Sequence, residues 1–179
     1  MIYTLHDLPS ISASVENRTI EGLAVPWNDP GKPMGSGGFR GRGLAFLPGS
    51  LDRSLKARAS KVRLLVQHDP GRPVGRLVDW SSTERGLTTS WKVASTPAGD
   101  IALTEASEGV RDGLSVGVDV LTYEQTDDVV NVVEAKLIEV SLVTLPAYDV
   151  ARVSYVAAST EHGRDPRSLR LHLLLKGTP

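Results

Sequence analysis

Stretch after stretch of this chain carries apolar residues at every second position, and that spacing limits its fold more than any other feature. Thr19 to Val25, Val62 to Gln67, Pro73 to Trp80, Gly86 to Ala94, Val116 to Tyr123, Val129 to Val143 and Ala151 to Ala157 are rich in β-branched residues. Turn-forming clusters such as Ser81 to Arg85 and Gln125 to Asp128 separate them. Ile11 to Val15 and Thr19 to Val25 predict an opening hairpin around Glu16-Asn17-Arg18. Val129 to Val143 is too long to run straight and is expected to bend or break near Glu134-Ala135-Lys136.

Helical spacing is rarer. Leu51 to Ala59 follows Ser50, a predicted N-cap, and Ile101 to Arg111 gathers Ala102, Leu103, Ala106 and Val110 on one side, with Gly113 just past its last turn. A third helix is expected over Arg167 to Leu175, behind the cap pair Asp165-Pro166. Between Asn28 and Gly43 glycine and proline dominate, which predicts a long loop. Many short strands with two or three helices predict an α+β, mainly β, domain: an antiparallel barrel or sandwich carrying helices. At 179 residues the chain fits one domain, expected over residues 1–158, with residues 159–179 as a tail.

Charge and composition exclude several functions. With 20 Lys and Arg against 21 Asp and Glu, nothing draws the whole chain towards nucleic acid or an anionic membrane. The absence of cysteine removes disulfides, thiolate nucleophiles and Cys-ligated zinc. There is no H-E-x-x-H, no calcium-loop carboxylate pattern, no P-loop ending after the Gly-rich stretch and no dinucleotide fingerprint, so neither metal nor cofactor is expected. The basic residues Arg40, Arg42, Arg53, Lys56, Arg58 and Lys61 fit a solvated face better than a nucleic-acid groove. The start of the chain lacks a signal-peptide pattern and no run is long enough to span a bilayer, which predicts a soluble, unexported protein.

One constellation stands out. Ser115 lies between glycines in Gly113-Leu114-Ser115-Val116-Gly117, where helical spacing gives way to strand spacing. That matches G-x-S-x-G literally, but a nucleophile elbow runs from strand to helix and orders its triad serine, acid, histidine. Here the best histidine, His68, comes first, at the end of the Val62 to Gln67 strand and before a predicted Asp69-Pro70-Gly71 turn. His6, His162 and His172 lie towards the ends of the chain, where nothing fixes a catalytic geometry. Glu139 sits inside an apolar run, pointing away from the face shared by Ile138 and Val140. It either meets solvent, pairs with Arg63 or Arg76, or enters the site to orient His68; Asp69 and Asp119 are competing acids. Serine, histidine and acid from three separate strands are the parts of a hydrolytic triad. Each also has a plain structural use: a strand start, a loop hydrogen bond, an ion pair.

Five stretches, in order, extend this reading: Glu21-Gly22-Leu23-Ala24-Val25-Pro26-Trp27, Phe46-Leu47-Pro48-Gly49-Ser50-Leu51, Leu65-Val66-Gln67-His68-Asp69, Gly113 to Gly117, and Glu139-Val140-Ser141-Leu142-Val143-Thr144-Leu145-Pro146-Ala147. Together they resemble the prohead serine protease family of tailed bacteriophages, the HK97-type maturation proteases, over roughly Ile20 to Val156. The resemblance implies a fold similar to herpesvirus assemblin, an antiparallel β-barrel surrounded by a few helices, with residues 1–158 as the protease domain. It implies His68 and Ser115 as catalytic histidine and serine, with Glu139 in the segment that supplies the third member. Assemblins place a second histidine there and carry an arginine pair near the oxyanion hole. This chain has an acid, and no such pair follows Glu139, which leaves the loop Thr144 to Ala147 as the expected oxyanion site.

The implied substrates are the scaffold, or the scaffolding segment of the major capsid protein, inside an immature phage head in the host bacterial cytoplasm, together with the protease itself. The Gly-rich loop and the Leu-rich tail are candidates for docking, homodimer contact or self-cleavage, with disorder and an ordinary packed helix as the alternatives. Two rival functions remain at this point: a small serine esterase, and a non-catalytic barrel acting as a head-assembly component.

Overall fold

One strand carries most of the architecture. The computed structural model describes residues 18–32, 39, 42–126 and 128–157. Its strands are β1 Thr19–Pro26, β2 Gly43–Phe46, β3 Arg63–Val66, β4 Asp69–Ser82, β5 Gly86–Val93, β6 Gly113–Thr126, β7 Val129–Val143 and β8 Val153–Ala157, joined by helices α1 Asp52–Arg58 and α2 Pro97–Ser107. All eight strands belong to one sheet, in the order β2-β7-β3-β4-β5-β1-β8, with β6 on the other edge of β7. The 15-residue β7 is therefore the hub. Along one edge it pairs with β6 for its full length; along the other it takes β2 at one end and β3 at the other.

The mainly β architecture with few helices agrees with the sequence, whereas the antiparallel barrel needs correction. β2 and β3 both run parallel to β7, so the sheet is mixed. The chain leaves β2, crosses through α1 and a 3-10 turn at Ala59–Lys61, and returns as β3 in the same direction, which a hairpin cannot do. Nor does a ladder close the sheet. Among the described residues its far ends meet through an isolated bridge, Gly113 to Arg152, with Leu114 N–H to Ala151 O at 2.8 Å and Val153 N–H to Asp112 O at 2.7 Å.

The gap between β2 and β3 would leave part of the β7 edge without partners. The α1 segment fills it: Ala135 N–H donates to Ser50 O at 2.9 Å, Leu137 N–H to Ser54 Oγ at 2.9 Å, and the Arg58 guanidinium to Leu137 O at 2.8 Å. Ser50 is thus not the expected N-cap, since α1 begins one residue later behind Leu51 and has no side-chain cap. In α2 the expected start is also too late. Thr96 caps it by accepting from Gly99 N–H at 3.2 Å, and Gly109, at φ 69°, ends it well before Gly113, which opens β6 instead.

Two irregularities of β7 set which side chains enter the core. Val130, Val132, Ala135, Leu137, Val140 and Leu142 are all buried in it, a sequence of steps that slips out of period two after Val132 and again after Leu137. The pairing with β6 shifts register at both places. Each slip is a β-bulge that re-aims the residues beyond it. The expected bend near Glu134 is the first of them. β2 begins at Gly43, the last residue of the stretch expected to be loop, and continues through residues for which no element was expected. The hairpin partner Ile11 to Val15, positions 33–38, 40 and 41 of the Gly-rich loop, and the tail with its helix lie outside the described residues.

The core behind the sheet contains Trp91, Phe46, Ile20, Leu55, Leu114 and Leu142, each essentially inaccessible to solvent. Leu142→Ala should therefore cost about 2–5 kcal/mol, seen as a lower urea midpoint at unchanged slope. Leu121→Ala, at a position 58% exposed, should shift that midpoint by less than about 0.5 kcal/mol.

Candidate active site

The site begins with register. In the β6–β7 ladder Ser115 stands opposite Ser141 and Gly117 opposite Glu139. Residues directly across an antiparallel pair, and residues two apart on a strand, project from the same face. The four positions therefore share one face, opposite to the Leu114 and Leu142 side chains in the core. The bulge after Leu137 is what frees Glu139 for this face: Leu137 enters the core, Glu139 turns the other way, and Ile138 is only half-buried.

Gly117 makes room for the carboxylate. A Cβ built there would clash with Oε1 and lie 3.1 Å from Cγ and Cδ of Glu139. The first glycine of the motif serves another contact, since a Cβ at Gly113 would lie 2.8 Å from Val143 O and 2.9 Å from the Pro146 ring.

His68 arrives on a turn. Val66 pairs with Asp69, so Gln67 and His68 alone reverse the chain between β3 and β4. Both have left-handed backbones, with φ 55° and 57°. That is the mirror-image turn which suits two-residue hairpins and usually recruits Asn-Gly. Holding two side-chain-bearing residues there costs on the order of 1–3 kcal/mol each. Three bonds to β7 and the loop after it offset this: Gln67 N–H to Leu142 O at 3.0 Å, His68 N–H to Ser141 Oγ at 3.1 Å, and the Gln67 amide to Thr144 Oγ1 at 3.3 Å. The expected Asp69 turn also exists, with Asp69 Oδ1 accepting from Gly71 N–H at 2.8 Å, but it forms a bulge of β4 rather than the reversal.

The three expected side chains meet. His68 Nε2 lies 3.0 Å from Ser115 Oγ, and His68 Nδ1 lies 2.7 Å from Glu139 Oε1. An ionised carboxylate only accepts, so Nδ1 carries the proton of the neutral ring and the Nε2 lone pair faces the serine hydroxyl. The hydrogen bond donated to Glu139 and the charge of that carboxylate hold the imidazole above its ordinary 6.5, against burial, which lowers it. Ser115 is 7% exposed, the Glu139 side chain 13% and the His68 side chain 45%, so the ring is the member open to the cleft. Neither rival acid is bonded to the ring: Asp69 is engaged by Gly71, and Asp119, exposed along the cleft, is paired with Lys136 at 3.5 Å. Arg63, a suggested partner for Glu139, bonds instead to the Ser60 and Val62 carbonyls.

Two residues at the site were not singled out from the sequence. Ser141, fully buried, donates to Glu139 Oε2 at 2.6 Å, and its place two residues beyond Glu139 on one strand was the available signal. Gln67 had none, because nothing in its type announces a left-handed turn. Around the three side chains a cleft of about 780 Å³ opens, walled mainly by apolar side chains including Leu44, Val118, Val120 and Leu145. Tyr148 anchors one wall: its hydroxyl donates to Leu44 O at 2.7 Å, and burial pushes the phenol well above the usual tyrosine range. Among the described residues no cluster of His, Cys, Asp or Glu is arranged to hold a metal.

Serine beside imidazole beside carboxylate, in a largely apolar cleft, is equipped for nucleophilic attack on a carbonyl with proton shuttling. A family model described as caudovirus prohead serine protease matches residues 7–166. No curated protein sequence matches the chain. Among solved structures, the bacteriophage T4 capsid assembly protease aligns with TM-score 0.50 at 14% identity, over 78% of this chain and 87% of that one. At that identity the likeness is one of fold. The varicella-zoster virus protease aligns with TM-score 0.45 at 13% identity, over 89% of this chain and 77% of that one. A Kaposi's sarcoma herpesvirus protease aligns with TM-score 0.47 at 12% identity, over 89% and 92%.

A histidine-selective NMR titration of the Ser115→Ala protein should find His68 titrating above 6.5, and Glu139→Gln should bring it back down by removing the charge that favours the imidazolium. Gly117→Ala should displace the carboxylate and lower the titration in the same direction, while circular dichroism stays unchanged.

Proposed function

The chain belongs to the caudovirus prohead serine protease family, and from that premise we propose that Ser115, His68 and Glu139 are its catalytic residues and that the scaffold or capsid protein of the immature phage head is its substrate. A serine protease of capsid maturation needs a nucleophile, a base and an orienting group. The observation that carries the assignment is the unbroken path from Ser115 Oγ through both ring nitrogens of His68 to Glu139, at 3.0 and 2.7 Å, on the floor of an open cleft.

In this reading His68 Nε2 takes the hydroxyl proton as Ser115 Oγ attacks the scissile carbonyl, and Glu139 stabilises the imidazolium that forms. The ring then returns the proton to the leaving amine. A water molecule, activated by the same nitrogen, hydrolyses the acyl-enzyme. Backbone amides of the loop Thr144 to Ala147, which borders the same cleft, supply the oxyanion site. The apolar walls favour extended substrate segments with apolar side chains.

Selectivity comes largely from place. Enclosing protease and substrate in one immature head inside the host cell raises their effective concentration and makes a weakly discriminating cleft sufficient. The same confinement brings copies of the protease within each other's reach, which favours self-cleavage as well as capsid processing and gives contact between copies a role.

Coexpression with the capsid protein of the same phage should yield a shortened capsid protein on a gel, and Ser115→Ala should abolish it, lowering turnover at least about a thousandfold. Persistent processing by that variant would refute the assignment. Because the working base is neutral His68, whose affinity for protons is raised, the rate should fall on acidification from above pH 6.5, and Glu139→Gln should both slow the reaction and move that fall to lower pH.

A further inference from the structure

The triad uses only one of the two carboxylate oxygens of Glu139 and none of the His68 backbone. Both spare groups end on the same atom. Ser141 Oγ accepts from His68 N–H at 3.1 Å and donates to Glu139 Oε2 at 2.6 Å. The directions follow from chemistry: an amide N–H only donates, so the hydroxyl must accept there, and its single proton is left for the carboxylate. Ser141 is wholly buried, at 0% exposure, so no water competes for either bond. It stands directly across from Ser115 and, on its other side, beside Leu65 of the strand that ends in the His68 turn. A small polar residue in the middle of a buried strand, with every polar group satisfied by two parts of one site, is not explained by packing alone.

We infer that Ser141 is a positioning residue: its hydroxyl ties the left-handed backbone of His68 to the second oxygen of Glu139, and so fixes ring and carboxylate relative to Ser115. The inference rests on the triad reading above. Without the tether, Glu139 is free to rotate about its terminal bond and His68 loses one of the bonds that hold its turn. The serine itself touches no reacting atom. Other charges near the ring are accounted for: Asp69 is bonded to Gly71 N–H, and Asp119, on β6 along the cleft, faces Lys136.

The test measures the initial rate of capsid-protein processing against pH for wild type, Ser115→Ala, Ser141→Ala and Ser141→Thr, alongside thermal melts. The Ser141→Ala protein should remain folded, process roughly ten- to hundredfold more slowly, as loss of hydrogen bonds to a charged group predicts, and show its acid limb moved down towards 6.5. Ser141→Thr, which keeps the hydroxyl, should recover most of the rate and restore the limb. If Ser141→Ala fails to fold, Ser141→Cys carries the same comparison at nearly constant volume with only a weak donor. An acid limb that stays in place or moves upward in the Ala or Cys variant, with a lowered melting temperature as the whole effect, overturns the inference. Processing that survives Ser115→Ala overturns the triad reading instead, so the two failures are separable.

Discussion

Everything at the site depends on the register between β6 and β7. A shift of one residue would turn one strand over against the other, sending either Ser115 of β6 or Ser141 and Glu139 of β7 into the core and bringing Leu114, or Val140 and Leu142, to the cleft. The hydrophobic cost of that exchange, about 1.5–3 kcal/mol for each large side chain, is what pins the register. The face proposed to be catalytic is thus specified indirectly. Its polar residues do not hold themselves in place; they occupy positions that the apolar residues between them leave over. The bulge after Leu137 completes the arrangement, because a regular strand would put Leu137 and Glu139 on the same face.

Against this rigid platform the histidine is held in a costly conformation. Two successive residues with positive φ, neither of them glycine, form the tip of the β3–β4 hairpin. Such a turn persists only where its surroundings over-determine it. Here both backbone amides of the tip donate to β7, one to Leu142 O and one to Ser141 Oγ. The parallel pairing of β3 with β7 brings the tip to that point, so the feature that departs from an antiparallel barrel is also the one that delivers the imidazole.

Much of this was legible in the chain. Alternation announced the strands, and the order of His68, Ser115 and Glu139 is apparent in the sequence itself. The unread parts share a physical cause: they depend on what a segment packs against. The parallel placement of β2 and β3 is a property of the crossover through α1, and no local propensity encodes it. The Gln67–His68 turn lacks the Asn-Gly signature because bonds to β7, remote in sequence, make up for its absence. The β7 bulges did leave a trace, the adjacent apolar pairs Val132-Val133 and Leu137-Ile138 where strict alternation allows one. Those pairs mark where the phase slips, and Glu139 follows directly on the second.

The burial gradient across the site gives it a direction. Ser141 is sealed, Ser115 and Glu139 are nearly so, and His68 is the one member with substantial exposure. Solvent at the ring weakens its attraction to the carboxylate, yet the short Nδ1 contact keeps the imidazole more basic than usual. A peptide lying in the cleft removes that solvent. In the proposed mechanism, burial then favours the neutral ring, the form able to accept the serine proton, while the lower dielectric strengthens the pull of Glu139 on the cation that would form once the proton moves. Occupation of the cleft therefore sets two opposed effects on the ring, desolvation favouring the neutral form and Glu139 favouring the imidazolium. An anchor fixed from below and a ring covered only by substrate place the last step of assembling this site in the act of binding.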